Sequence, residues 1–259
     1  VGILKQSGAT FNVLMMAPNG TRFGGWLLNT ADNNFGPAAD FDGDRRSELF
    51  VSSPWGIGIL KLSAATLTAP MMQPNGTRFG GWLLNTGDNT FGHAADYDGD
   101  GRAEILVTSP WGVGILKQSG ATMSAPMMAP NGTRFGGWLL NTADNEFGPA
   151  ADYDGDGRPE LLVKSPWGIG MFKLSGATFS TIMMQPNGTR FGGWLLNTGD
   201  NRFGSVGKYT AGTLVDILVT SPWGIGILRL SGTTLSAPMM QPNGTRFGGW
   251  LLNTADNEF

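Results

Sequence analysis

The chain has 259 residues, a formal charge of −3, only 14% charged residues, 41 glycines and no cysteine. That composition excludes disulfides, thiolate metal sites and cysteine nucleophiles, and without a Lys/Arg-rich run it offers a phosphate backbone no attraction, so nucleic acid is not an expected partner. No apolar run approaches the roughly 18 to 20 residues that span a bilayer, and no charged segment with an apolar core opens the chain, so membrane insertion is not expected.

The stretch P-N-G-T-R-F-G-G-W-L-L-N-T recurs unchanged from Pro18, Pro74, Pro130, Pro186 and Pro242, a period of 56 residues without insertion or loss. A period of this size marks a repeat architecture in which neighbouring units share a core. One domain, 1–259, is expected. Residues 1–35 read as a partial unit that begins at its second strand, and 36–91, 92–147, 148–203 and 204–259 read as four whole units. The start at Val1 without an initiator methionine reads as a processed or excised product.

Within 92–147, a polar loop, G-H-A-A-D-Y-D-G-D-G-R, leads into E-I-L-V-T-S at 104–109, whose branched apolar centre suits a strand buried on both faces. Ser109-Pro110-Trp111-Gly112 supplies a turn, and 113–117 forms a second strand in which Gly114 lets backbone or a bulky neighbour approach closely. A third strand covers 124–128, where Pro126 lacks a ladder donor and favours an edge. Asn131-Gly132 is a strong hairpin signal, and the fourth strand is expected at 135–141.

Four short antiparallel strands per unit, without helical periodicity, describe an all-β fold: a β-propeller of 56-residue blades with the first strand innermost and the fourth at the rim. The chain would supply four complete blades plus three strands of a fifth, as a five-bladed ring or a fragment of a larger propeller. The inner strand lacking from the first blade is a position that another copy could complete, which makes a homo-oligomer an expectation.

The loop before the first strand carries D-Y-D-G-D-G-R-A-E at 96–104 and D-Y-D-G-D-G-R-P-E at 152–160. Carboxylates at loop positions one, three and five, glycine at six and an acid at nine have the spacing by which a short loop wraps Ca²⁺ with oxygen ligands. Asp96, Asp98, Asp100 and Glu104, with the Arg102 carbonyl, form one candidate set; Asp152, Asp154, Asp156, Glu160 and Arg158 form the other. An acidic turn held by Asp-to-backbone hydrogen bonds is the alternative. The copy at Asp40, Asp42, Asp44 and Glu48 has Arg45 where the glycine stands elsewhere, so its turn is expected to be strained. The last copy, K-Y-T-A-G-T-L-V-D at 208–216, has lost its early carboxylates, so any calcium would support loops and not catalyse.

The D-x-D-G-D-G-R-x-E-I-L-V loop and strand resemble the FG-GAP or VCBS repeat of integrin-like propellers. With F-G-G-W before it and G-I-G-I-L after it, the pattern is similar to the sugar-binding propellers of the Psathyrella velutina lectin type and its Photorhabdus relatives. The resemblance covers the whole chain and implies a propeller fold, calcium loops and glycan binding; that lectin type has seven units where this chain has fewer than five complete ones. A secreted or extracellular location is expected.

Aromatic placement supports glycans as partners independently. Trp55, Trp111, Trp167 and Trp223 each sit in a short S-P-W-G turn with little room for burial, and offer a flat apolar face with an N–H at its edge. A pyranose suits such a face; packing of each indole between blades is the alternative. Alternation of loops places the N-G-T-R turn at the same end, so Asn75, Arg78, Asn131, Arg134, Asn187, Arg190, Asn243 and Arg246 could bring hydrogen-bonding groups to the tryptophans. The other tryptophans, after Gly-Gly, read as packing residues. An enzyme needs a singular constellation, whereas nearly every polar residue here recurs, and the one histidine, His93, replaces a proline found at Pro37 and Pro149. A non-catalytic, multivalent lectin is expected, with a protein-interaction propeller or a plain symmetric scaffold as alternatives.

Overall fold

Four of the repeats each form one four-stranded meander and one separate small hairpin. The computed structural model describes residues 1–258; Phe259, which closes the last predicted unit, lies outside the described residues. One sheet runs, neighbour to neighbour, through Thr90–Ala95, Glu104–Ser109, Gly112–Ser119 and Thr122–Pro130. The same order recurs from Asn34–Ala39 to Thr66–Pro74, from Glu146–Ala151 to Thr178–Pro186, and from Arg202–Gly207 to Thr234–Pro242. The described residues contain no helix. Gly2–Ser7 and Thr10–Met16 pair as an antiparallel hairpin that corresponds to the third and fourth strands of the later sheets.

The all-β, 56-residue blade pattern is therefore present, but its strands are offset by one from the reading of the sequence. Thr90–Ala95, read as loop, is an outer strand, and Glu104–Ser109 lies inside the sheet, not at its edge. What hid that strand is a bulge: in the next copy the register slips between Phe147 and Ala150, where Gly148-Pro149 interrupts the ladder. The expected rim strand at 135–141 is instead a hairpin of two-residue strands, Arg134–Phe135 and Trp138–Leu139, folded at Gly136, whose φ is 59°. Pro126 does lie in an edge strand, Thr122–Pro130.

The chain divides into two compact units, residues 1–94 with 101–128, and 95–100 with 129–259. In the first, Phe23, Trp26 and Leu28 of one repeat's small hairpin are buried with Val51, Leu60 and Leu67 of the following sheet. In the second, Phe191, Trp194 and Leu196 bury against Ile217, Val219 and Leu228 in the same way. Each joint depends on a glycine: a Cβ on Gly58 would stand 2.8 Å from Trp26, on Gly114 2.9 Å from Trp82, on Gly170 2.9 Å from Trp138 and on Gly226 2.7 Å from Trp194. Of the two close approaches expected at Gly114, by backbone or by a bulky neighbour, the structure has the second, the preceding repeat's F-G-G-W tryptophan. Its indole N–H is satisfied by an asparagine seven residues on, as in Trp138 Nε1 to Asn145 Oδ1 at 3.1 Å.

Candidate functional site

The S-P-W-G turn is fixed by its own chemistry. The Trp55 backbone N–H donates to Ser53 Oγ at 3.2 Å, and the same bond recurs at Trp111, Trp167 and Trp223. The turn is tied to the N-G-T-R segment of its own repeat, as expected from the alternation of loops: Asn75 N–H donates to Trp55 O at 2.9 Å, and Asn187 and Asn243 repeat the bond to Trp167 and Trp223. Asn75 Nδ2 also donates to Pro54 O and Thr86 Oγ1, both at 2.9 Å, while its Oδ1 accepts from Thr86 N–H. Asn187 and Asn243 are engaged identically, and Asn131 bonds Thr142 through both its amide atoms. These asparagines brace the turn.

Locked this way, the indoles project into solvent. Trp55 is 51% exposed and Trp223 39%, whereas Trp26, Trp82, Trp138 and Trp194 are buried beneath them. The two sets pair ring to ring. Trp26 meets Trp55 at 5.8 Å and 84°, and Trp82 meets Trp111 at 5.6 Å and 84°, both edge to face; Trp138–Trp167 and Trp194–Trp223 are closer, 4.7 Å at 48°.

Beside the first pair lies a cleft of about 490 Å³ lined by Arg22, Gly25, Trp26, Leu27, Asn29, Asp32, Asn33, Ser53, Pro54 and Trp55. Its arginine comes from the repeat preceding the exposed tryptophan. By the same offset Arg78 accompanies Trp111, Arg134 accompanies Trp167 and Arg190 accompanies Trp223; Arg246 stands in the last copy, and all are exposed. Sequence reading did not single out Asn29 and Asp32, which hydrogen-bond each other at the cleft wall. The signal was there: the D-N of Asp32-Asn33 recurs after every F-G-G-W, and its asparagine is the one that holds the buried indole.

The acidic loops occupy the opposite end of each sheet. In the second unit, Asp152 accepts the N–H groups of Gly155 at 2.8 Å and Gly157 at 3.0 Å, and Glu160 Oε2 accepts that of Tyr153 at 2.8 Å. The remaining carboxylate oxygens converge on Lys173 Nζ: Asp154 at 2.9 Å, Asp156 at 2.6 Å and Glu160 Oε1 at 2.7 Å. Glu160 and Lys173 face each other across neighbouring strands, which sets this geometry. In the first unit Lys61 likewise binds Asp42, Asp44 at 2.8 Å and Glu48 at 3.1 Å, while Asp40 accepts from Gly43 and Arg45 N–H, each at 2.7 Å. Arg45 takes the left-handed φ of 69° that Gly157 reaches at 90°, so the strain expected there is present and the acidic group forms nonetheless.

For the copy at 96–104, Asp96 accepts from Gly99 N–H at 2.8 Å and Asp98 from Asp100 N–H at 3.1 Å. Glu104, buried, pairs with Lys117 at 2.8 Å. In the last copy both partners change together: Asp216 replaces the glutamate and Arg229 the lysine, with Nε to Oδ1 at 2.7 Å. A shorter acid is met by a longer base. Arg158, proposed as a carbonyl ligand, sends its guanidinium to Tyr97 O at 3.0 Å and Leu174 O at 2.7 Å. The stem of Arg102 packs on Gly43.

Charge states follow these contacts. The hydrogen bonds that the Lys61 ammonium donates to Asp42 and Asp44 raise it above the ordinary lysine range. For Lys173, burial acts downward, but Asp156, Glu160 and Asp154 outweigh it and raise the group. Asp156 is lowered by its bond to Lys173, and Glu160 is raised by burial against the opposing pull of the same lysine. The all-oxygen donor set suits a hard divalent cation, and Asp40, Asp42 and Glu48, or Asp152, Asp154 and Glu160, bring ligand atoms within 4.8 Å of one another. The position is filled by an ammonium, which a metal would have to displace.

Comparisons with known proteins agree with this architecture. Residues 96–163 match the family model described as FG-GAP-like repeat. Among solved structures, an Agrocybe aegerita lectin described in terms of specific recognition of non-reducing terminal N-acetylglucosamine aligns with a TM-score of 0.53 and 20% identity, over 85% of this chain and 53% of that one. The Photorhabdus luminescens Tc holotoxin pore aligns with a TM-score of 0.53 and 14% identity, over 96% of this chain and 12% of that one. The chain thus spans about half the length of the lectin, and both likenesses bear on the fold, a β-propeller arrangement of four-stranded blades. No curated relative matches the sequence.

Proposed function

We propose that this chain is a non-catalytic, multivalent carbohydrate-binding protein working outside the cell, with one sugar site at each S-P-W-G tryptophan. The observation that carries the reading is the half-exposed indole of a braced S-P-W-G turn standing over a cleft with an arginine, an asparagine and an aspartate on its wall. An apolar face beside a few convergent polar groups suits a pyranose, whose ring is apolar on one side and hydroxylated around its rim. Four equivalent tryptophans allow weak sites, each with a Kd of about 1 mM, to act together by avidity. The fold likeness to a lectin that recognises terminal N-acetylglucosamine makes that sugar the first probe.

Calcium belongs to this reading only as loop support, since the acidic groups lie at the far end of each sheet from the tryptophans. The ring contacts to Trp26, Trp82, Trp138 and Trp194 favour a second reading, in which the exposed indoles cap the joints between repeats. Titration with glycans ending in N-acetylglucosamine, read by tryptophan fluorescence and on a glycan array, separates them. Quenching and array signal, both lost when Trp55, Trp111, Trp167 and Trp223 are changed to alanine in a chain that still folds, support the lectin. Silence on the array at high protein density, or collapse of folding in the variant, favours the second reading.

A further inference from the structure

The acidic loops have the spacing of a calcium loop, yet the residues around them do not fit a second cation. At 152–160, oxygens of Asp154, Asp156 and Glu160 lie 2.6 to 2.9 Å from Lys173 Nζ. Three carboxylates meet one ammonium, a group with three donors and no acceptor. Lys61 is held in the same way by Asp42, Asp44 and Glu48. Asp152, the first ligand by spacing, accepts through both of its oxygens from the N–H groups of Gly155 and Gly157. The buried Oε1 atoms of Glu48 and Glu160 accept no hydrogen bond from backbone or hydroxyl groups, so the strand lysine answers their charge.

The copy at 208–216 separates the base from the acidic loop. Thr210 and Gly212 stand where Asp154 and Asp156 stand, so the calcium spacing is gone, yet a buried acid and a base still face each other across the same two strands. Arg229 Nε donates to Asp216 Oδ1 at 2.7 Å, and its Nη1 donates to Ala211 O at 3.2 Å. Glu104 and Lys117 form the same cross-strand pair in the copy at 96–104. The cation therefore belongs to the sheet. It persists where the loop carboxylates are absent, as it would have no cause to do if a bound ion answered the buried acid in the other copies.

We propose that Lys61, Lys117 and Lys173 are built-in counter-ions that take the place of calcium in their loops, so that the folded chain neither needs nor binds a divalent cation there. Ammonium and ion exclude each other. Ca²⁺ would lie about 2.3–2.6 Å from its oxygen ligands, and at 152–160 those oxygens already surround Nζ. Two positive centres in one such cage repel strongly. The loop support that calcium would supply then comes from the chain itself, whatever the tryptophan end binds. Removing the ammonium should in turn uncover an oxygen cage able to take the ion.

The test compares the wild type with Lys173→Ala, which removes the ammonium and opens its space, and Lys173→Met, which removes the charge and keeps the space filled. Each chain is melted in EDTA and in excess CaCl₂, and is titrated with CaCl₂ by calorimetry. The wild type is expected to have the same Tm in both solutions and to give no heat of binding. Both variants are expected to melt about 4–8 °C below the wild type in EDTA. Calcium is expected to bind Lys173→Ala at one site and raise its Tm, and to leave Lys173→Met unchanged. A wild type that binds calcium or loses Tm in EDTA would overturn the proposal. So would a Lys173→Ala chain that calcium neither binds nor stabilises, since the ammonium would then not stand in an ion's place.

Discussion

The two ends of each sheet solve opposite problems. At the acidic-loop end, as at residues 152–160, the carboxylates are answered from within: backbone N–H groups take the first aspartate, and a lysine from the adjacent strand takes the others. At the tryptophan end, two indoles are layered, one sealed under the next repeat's glycine and one left half in water. The difference teaches that the same repeat can hold its stability in one indole and its capacity for recognition in the other, because a buried ring beneath fixes where the exposed ring stands.

The sharpest break of this comparison is Trp138→Ala, expected to cost about 3–5 kcal/mol in urea unfolding, since a large ring fully buried against Gly170 and hydrogen-bonded to Asn145 is lost. At the other end, Lys173→Met leaves the buried Glu160 carboxylate with no cation and should cost about 2 kcal/mol in the same measurement. Alkaline pH should do the same more gently. A raised lysine contributes stability that is complete below its unfolded value of about 10.4 and is lost as pH climbs through the higher folded value. Urea midpoints at pH 8 and above pH 11 should therefore fall in the wild type and fall less in a Lys61→Met, Lys173→Met chain. The smallest effect is expected from Trp167→Ala, about 1 kcal/mol, because that ring is partly in water and loses chiefly its contact with Trp138. If Trp167→Ala destabilises as much as Trp138→Ala, the division of labour between the two indoles is wrong.

Much of this was legible from residue pattern. The exact recurrence of F-G-G-W announced the repeat, Ile105-Leu106-Val107 announced a strand covered on both faces, and Gly114 announced a close approach. An outer strand such as Glu146–Ala151 was hidden because its Gly-Pro bulge reads locally as a loop. The F-G-G-W hairpin was read as a strand because its apolar residues are strand formers, while its left-handed glycine decides the turn. In the acidic loops, the calcium-like spacing drew attention to the carboxylates and away from the lysine. Its constancy, at the 13-residue offset that also joins Asp216 to Arg229, was the available clue. Pairing across a strand is a tertiary fact that spacing along a loop does not display.

The glycine joint described above also bears on how such a chain changes over time. Because each unit presents the next with an identical surface, recombination that removes or inserts a whole unit creates no junction the chain has not already made. Array length is then free to drift at little cost in folding, whereas a gain or loss of a few residues inside a unit would put an indole where a side chain already stands.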